Sequence, residues 1–362
     1  MENSDSNIDT EFLKYFKPEK YDKDKYDWNI ISVSKDNQNS RSVYCGVNKE
    51  DKNDCIYVKQ FKLFFSFNKN NEISQILKEI YFLILLKNQK YFVNINDIFF
   101  DEDYKRLFLE FKGNCVSLNK LINYKANDYL SNNDLIKWII YQISFGLYIL
   151  HYNNIIHNDI KPSNLLIDEE GGITICDFGS ASYNNKESYS YTRYYTPPEF
   201  LNNTNLIRDE KSDMWALGVI IVELYLKKNR YFKSDDEEKT IENQLKFIFA
   251  KFGMENIQKE DINRIINDNI NSDKYKLKDE EIENQIKDKD AIDLINNLLV
   301  LNPEKRYTAL KVLKSKYLTE FNDIDSYDVK INDFIIDYET LNDIFIDKDK
   351  FMNIIGSLKS RI

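Results

Sequence analysis

The hydrophobic period of this chain changes near Lys112–Gly113. From Asn29 to Phe111 apolar residues fall in short β-prone runs, and these predict strands over Ile30–Ser34, Val43–Val47, Ile56–Phe61, Val93–Phe100 and Arg106–Phe111. One segment breaks that pattern. Within Glu72–Leu86, the residues Ile73, Ile76, Leu77, Ile80, Leu83 and Ile84 recur at the three- and four-residue spacing of one helix face. Beyond Gly113 the helical period takes over, and helices are expected over Asn133–Tyr152, Lys211–Leu226, Ile241–Phe252, Asp290–Leu301 and Ala309–Leu313. Strands first and helices afterwards give an α+β fold of two lobes. The smaller lobe, 28–112, is β-rich with one main helix, and the larger, 113–321, is mostly helical. Residues 1–27 read as a polar extension. Residues 322–362 read as an acidic tail in which Phe334, Tyr338, Leu341 and Phe345 stand at helical spacing, expected as a helix docked on the parent domain.

Composition removes several function classes. With 50 Lys+Arg against 60 Asp+Glu, the net charge of -10 counts against a nucleic-acid footprint. Four cysteines, Cys45, Cys55, Cys115 and Cys176, lack C-x-x-C spacing, and two histidines are too few for a His-built metal site. The longest apolar stretches fall short of the ~18 residues of a membrane span. No basic region precedes an apolar run at the N-terminus. The expectation is an intracellular protein, cytoplasmic and/or nuclear, with reduced thiols.

The chemistry concentrates in Ile156–Ile167, which contains His157-Asn-Asp159-Ile-Lys161-Pro-Ser-Asn164, and in Ile175-Cys-Asp177-Phe-Gly179. Asp159, Asn164 and Asp177 are oxygen donors on two neighbouring loops, and Lys161 lies two residues beyond Asp159. Hard oxygen ligands beside a cation suit Mg²⁺ bound jointly with phosphate, because Mg²⁺ takes one or two carboxylates and fills its shell with substrate oxygens. An aspartate free of ligand duty beside such a metal accepts a hydroxyl proton.

These residues resemble the eukaryotic protein-kinase catalytic domain from about Asn29 to about Phe321. His157–Asn164 is similar to the H-R-D-x-K-P-x-N loop, and Asp177-Phe178-Gly179 to D-F-G. Pro197-Pro-Glu199 resembles A-P-E, Asp213-Met-Trp215-Ala-Leu-Gly218 resembles D-x-W-x-x-G, and Arg306 stands where an arginine pairs with the A-P-E glutamate. The resemblance implies a bilobal protein-kinase-like fold and a serine/threonine kinase that moves the ATP γ-phosphate to protein hydroxyls. By it, Asp159, Lys161 and Thr192 are catalytic, and Asn164 and Asp177 hold Mg²⁺. Lys59, ion-paired with Glu79, grips the nucleotide phosphates. Val43, Leu166 and the hinge residues Glu110 and Lys112 complete the ATP site. Lys161 and Thr192 carry the serine/threonine preference. Asp177–Ala181 and Ser188–Tyr195 resemble the CMGC group, closest to glycogen synthase kinase in that segment, with Tyr189 at a phosphotyrosine position. The implied partners are a protein substrate and ATP, with neither nucleic acid nor membrane, and a regulatory partner for the acidic tail.

The chain also departs from the family. The three glycine positions of the nucleotide loop fall on Asp36, Gln38 and Arg41, and the first glycine of the chain is Gly46. Tyr57 replaces the alanine that packs on adenine, two residues before Lys59. Asn158 replaces the arginine that clasps a phosphorylated activation segment, and Thr196 replaces one associated with proline-directed choice. The degenerate loop makes a pseudokinase, a kinase-fold scaffold with impaired ATP binding, the alternative to an active enzyme. The retained Asp159, Asn164 and Asp177 favour activity, because polar groups around an empty metal site would cost stability.

Overall fold

The computed structural model describes residues 25–33, 42–51, 55–65, 70–101, 103, 105–113, 116–124, 129–183, 192–202, 208–233, 240–255, 257–258, 261–262, 265, 277–321, 329–331, 341 and 346–362. They form two compact units, one drawn from Met1–Gln89, Val93–Cys115 and Asp333–Ile362, the other from Lys90–Phe92 and Val116–Asn332.

In the first unit, strands β1 (Tyr26–Val33), β2 (Ser42–Asn48), β3 (Cys55–Lys62), β4 (Ile95–Phe100) and β5 (Arg106–Lys112) make an antiparallel sheet in the order β1-β2-β3-β5-β4. The first strand starts four residues before the expected Ile30, because Tyr26 and Trp28 alternate with Asp27 and both aromatic rings are buried. Together with Tyr44, Ile56, Val58, Phe99 and Phe108 they pack one face of the sheet. Phe99 and Phe108 stack at 4.9 Å. Gly46 is required here: a Cβ would meet the Trp28 ring at 2.9 Å. Since side chains alternate along a strand, Val58 lies on the packed face and Tyr57 and Lys59 on the other.

Helix α1 (Asn70–Leu85) buries Ile73, Ile76, Leu77, Ile80 and Leu83, the stripe read from the sequence. The tail belongs to the same unit. Phe334, Tyr338 and Phe345 lie outside the described residues, while Leu341 is fully buried and its carbonyl accepts from Ser74 Oγ at 2.6 Å. The helix of this region comes later than expected, at Lys348–Lys359, capped by Asp347. Its Phe351, Ile355 and Leu358 are buried, and Phe351 meets Phe65 edge-on at 5.4 Å. Lys359 pairs with Asp97 at 3.1 Å. The apolar spacing Phe351, Ile354, Ile355, Leu358 was present in the sequence and marks this helix.

The second unit is mostly helical. Helix α2 (Leu118–Asn123) and strand β6 (Val116–Ser117) precede α3 (Asn133–Tyr152), whose bounds match the expectation because Asn132 caps it with bonds from Asp134 N and Leu135 N. Short strands β7 (Ile155–Ile156), β8 (Leu165–Ile167), β9 (Ile173–Ile175) and β10 (Ser182–Tyr183) follow, paired β6-β8-β9 and β10-β7. After α4 (Pro198–Asn202) comes α5 (Glu210–Leu226), apolar on all sides and buried almost throughout, with Trp215 at its centre. Gly218 allows Leu298 and Leu299 to approach within 3 Å of where a Cβ would stand. Helices Ile241–Lys251, Glu280–Gln285, Lys289–Leu298 and Ala309–Leu313 complete the unit. Among the described residues no helix is long and apolar enough to cross a membrane.

Candidate active site

The loop from His157 to Asn164 leaves β7 and enters β8, and α5 holds its beginning. Asp213, buried, accepts from the backbone N–H of His157 at 2.9 Å and of Asn158 at 3.0 Å. His151 Nε2 adds a third contact at 3.0 Å. This grip sets Asn158 in the left-handed region at φ 65°, a conformation that a polar, short side chain tolerates. His157 is fully buried, its ring 5.0 Å from that of Phe178, and its Nε2 meets the Cys176 carbonyl at 3.1 Å. It is a packing residue.

Beyond that anchor four predicted residues converge. Asp159 Oδ2 accepts from Lys161 Nζ at 2.6 Å and from Asn164 Nδ2 at 3.2 Å, and Oδ1 accepts from Thr192 Oγ1 at 2.6 Å. Lys161 Nζ also donates to Thr192 Oγ1 at 3.0 Å. Asp177 is placed by strand register: Leu165 pairs with Ile175, so Asn164 and Cys176 stand at the same end of the β8–β9 hairpin. Cys176 N donates to Asn164 O at 3.0 Å there, and Asp177 follows at φ 67°, leading into a turn over buried Phe178. A left-handed aspartate is strained backbone held by its surroundings, and such strain gathers at functional sites.

These donors suit the implied metal. Asn164 commits its amide N–H to Asp159, which leaves Oδ1 for a cation, and Asp177 supplies a carboxylate. Among the described residues no group of three or more His, Cys, Asp or Glu forms a metal cage. Two protein oxygens with the remainder from phosphate is the arrangement Mg²⁺ favours.

The predicted nucleotide residues of the first unit lie on its sheet. Lys59 Nζ pairs with Glu79 Oε1 of α1 at 2.6 Å, and the glutamate side chain is 3% exposed. Val43 stands opposite Lys59 in the register on one side and Leu109 on the other. Tyr57 shares the Lys59 face and is half-buried. Glu110 turns its side chain to the opposite face, where Asn96 donates to it at 3.2 Å, so only its backbone serves the hinge role that the resemblance implies. Lys112 ends β5, exposed, and Leu166, in β8 of the second unit, is half-buried. Asp36, Gln38, Arg41 and Tyr189 lie outside the described residues.

Asn158, where the family has arginine, makes a neutral tether. Its Nδ2 donates to Ser180 O at 3.0 Å and Ser182 Oγ at 2.9 Å. The expected Glu199–Arg306 pair is present at 3.0 Å, with Arg306 fully buried.

Glu223 was missed, although a single carboxylate inside the apolar run Trp215–Leu226 is a visible signal. It is fully buried, with Oε1 accepting from Tyr231 N at 2.9 Å and Oε2 from Tyr195 OH at 3.0 Å. Burial pushes its carboxyl up to about 7, with the hydrogen bonds from Tyr231 and Tyr195 opposing that rise. A pKa raised on folding means that the native state holds the proton more tightly. The associated stability is therefore complete below the unfolded value of ~4.5 and is lost as pH rises through about 7. Glu223→Gln keeps both hydrogen-bond positions and removes the titration. The variant should gain on wild type between pH 4.5 and 7, by up to roughly 3 kcal/mol. Parallel melting-temperature profiles for the two proteins would contradict this.

Comparison with known proteins agrees with this arrangement. The protein kinase domain family model matches residues 39–318. Mitogen-activated protein kinase hog-1 of Neurospora crassa is 32% identical over 198 residues, 52% of this chain and 52% of its own. Mitogen-activated protein kinase HOG1 of Chaetomium globosum is 31% identical over 254 residues, covering 67% and 66%, and Mitogen-activated protein kinase 13 of Arabidopsis thaliana is 28% identical over 311 residues, covering 82% and 81%. In the first of these matches the chain spans about half the length of its relative. A His157–Asn164 loop pinned to a buried central helix, an Asp177-Phe178-Gly179 turn beside it and a family match over 39–318 have one common explanation: this chain belongs to the protein kinase domain family.

Proposed function

We propose that this chain is a serine/threonine protein kinase that transfers the γ-phosphate of Mg·ATP to a hydroxyl of a protein substrate. The observation that carries the reading is the cluster of Asp159, Lys161, Thr192 and Asn164, joined by hydrogen bonds of 2.6–3.2 Å. Asp159 is the proton acceptor for the attacking hydroxyl. Thr192 and Lys161 fix its carboxylate, and Lys161 adds positive charge for the phosphoryl group in transfer. Asn164 and Asp177 hold Mg²⁺, which neutralises charge on the triphosphate when bound. Lys59, steadied by Glu79, grips the phosphates. This reading assigns to the base Val43 and the backbone at Glu110 and Lys112 from the first unit and Leu166 from the second. The domain runs over 28–321, with an extension before it and the acidic tail after.

One observation favours the second reading, a pseudokinase. Tyr57, on the Lys59 face of the sheet, carries an aromatic ring where a small side chain would leave room for adenine. A phosphotransfer assay with Mg·ATP and a generic basic protein, run beside Asp177→Asn, separates the two. An active kinase incorporates phosphate and the variant does not. No incorporation by wild type, together with a melting temperature unmoved by millimolar Mg·ATP, would establish the scaffold.

A further inference from the structure

We propose that Arg230 is a specificity residue that selects an anionic side chain in the protein substrate, close to the acceptor hydroxyl; this rests on the kinase reading above. Residues Thr192–Glu199 are the peptide shelf in that reading. Thr196, where related kinases carry arginine, brings no charge to it: the residue is buried and its hydroxyl donates to Thr192 O at 3.0 Å. A cation reaches the shelf from a different element, the turn after α5. The guanidinium of exposed Arg230 lies 5.6 Å from the ring centroid of Tyr194.

The turn is built to present that side chain. Lys227 at φ 51° and Arg230 at φ 59° both adopt the left-handed region, which is uncommon for residues with a Cβ. Rigid contacts hold them there. Lys228 N donates to Glu223 O at 3.2 Å, Tyr231 N to Glu223 Oε1 at 2.9 Å, and Lys233 N to Arg230 O at 2.7 Å. Immediately after Arg230, Tyr231 and Phe232 are buried: the Tyr231 hydroxyl donates to Asp279, and the Phe232 ring stacks on Trp215 at 5.6 Å. One acidic group of this neighbourhood, Glu223, has its oxygens taken by Tyr195 and Tyr231 and is sealed from solvent. Among the described residues Arg230 makes no ion pair; its charge reaches buried Glu223 only through space, while the side chain itself is exposed beside the shelf.

Distance limits what it reads. Tyr194 is two residues from Thr192, whose hydroxyl bonds Asp159 at 2.6 Å. Two Cα steps, a tyrosine side chain and the stacking distance place the guanidinium within roughly 20 Å of the Thr192 backbone, and an extended peptide covers about 3.3 Å per residue. The recognised residue therefore lies within about six positions of the acceptor. A planar guanidinium suits a carboxylate or a phosphate through paired hydrogen bonds. The overall charge of -10 repels peptides that are acidic throughout, so the preference is for one anionic residue in a neutral or basic segment.

The test uses the full chain and peptides with one serine in a neutral-to-basic background, carrying Glu, phosphoserine, Ala or Lys at each of six positions on either side. Wild type should favour Glu over Lys at a defined position by about three- to fivefold in kcat/KM, and phosphoserine at least as strongly. Arg230→Ala should abolish the ratio, Arg230→Glu invert it and Arg230→Lys retain part of it. A flat scan for wild type, or a ratio unchanged in Arg230→Ala with its melting temperature intact, overturns the assignment. Fluorescence anisotropy with labelled peptides reads the same preference without chemistry. Selective binding without transfer upholds Arg230 and defeats the kinase reading, while transfer with neither a kinetic nor a binding preference does the reverse. Preference for phosphoserine alone identifies a phosphorylated substrate, and equal preference for Glu identifies an acidic one; both uphold an anion reader.

Discussion

Asp159→Asn should lower kcat by about 10²–10⁴-fold at saturating Mg·ATP, the range expected when a general base is removed. The melting temperature should stay near that of wild type. Asp159 now accepts on one oxygen from Thr192 and on the other from Lys161 and Asn164. An asparagine can keep its carbonyl oxygen toward Lys161 and turn its amide toward Thr192, whose hydroxyl accepts as readily as it donates. The geometry therefore survives while the site loses a proton acceptor and a negative charge. KM for ATP should change little, because the residue acts on the hydroxyl and not on the nucleotide. Turnover within tenfold of wild type, measured by phosphate incorporation, would remove Asp159 from the base role.

Arg306→Met should destabilise the fold by about 3–5 kcal/mol, the usual cost when a buried pair loses one member. Arg306 is fully buried, pairs with Glu199 at 3.0 Å, donates to Lys211 O at 2.7 Å and Val300 O at 2.9 Å, and lies over the Trp215 ring at 5.1 Å. Methionine keeps part of that packing and none of the charge, so Glu199 loses its cationic partner and Val300 O and Lys211 O lose the bonds from the guanidinium. At about 2–4 °C per kcal/mol for a domain of this size, the melting temperature should fall by roughly 6–20 °C. Glu199→Gln combined with Arg306→Met should recover part of the loss, because no uncompensated charge then remains. A double variant as unstable as the sum of the single ones would show that the pair itself is not what the fold depends on.

Parts of this protein were legible from end to end. Helix Asn133–Tyr152 carries its own period and cap, and the catalytic loop and the D-F-G turn carry their chemistry in consecutive residues. The pairing of Lys59 with Glu79 was implied by the family resemblance, and the two side chains meet at 2.6 Å. Other parts were written in the chain but harder to read. The strand at Tyr26–Val33 begins among polar residues, and the helix at Lys348–Lys359 lies just past the aromatics that draw attention to the tail.

The order of residues by itself determined most of the strands and helices and which side chains are candidates for the chemistry, because period, capping and motif spacing act over a few neighbouring residues. Folding in three dimensions decided the rest. That Asp213 grips a loop more than fifty residues away, that Glu223 is sealed beneath Tyr195, and that the turn after α5 lays Arg230 against Tyr194 are all products of topology. Such contacts depend on how whole elements stack, since burial and hydrogen bonding are settled by neighbours in space and no local pattern encodes them.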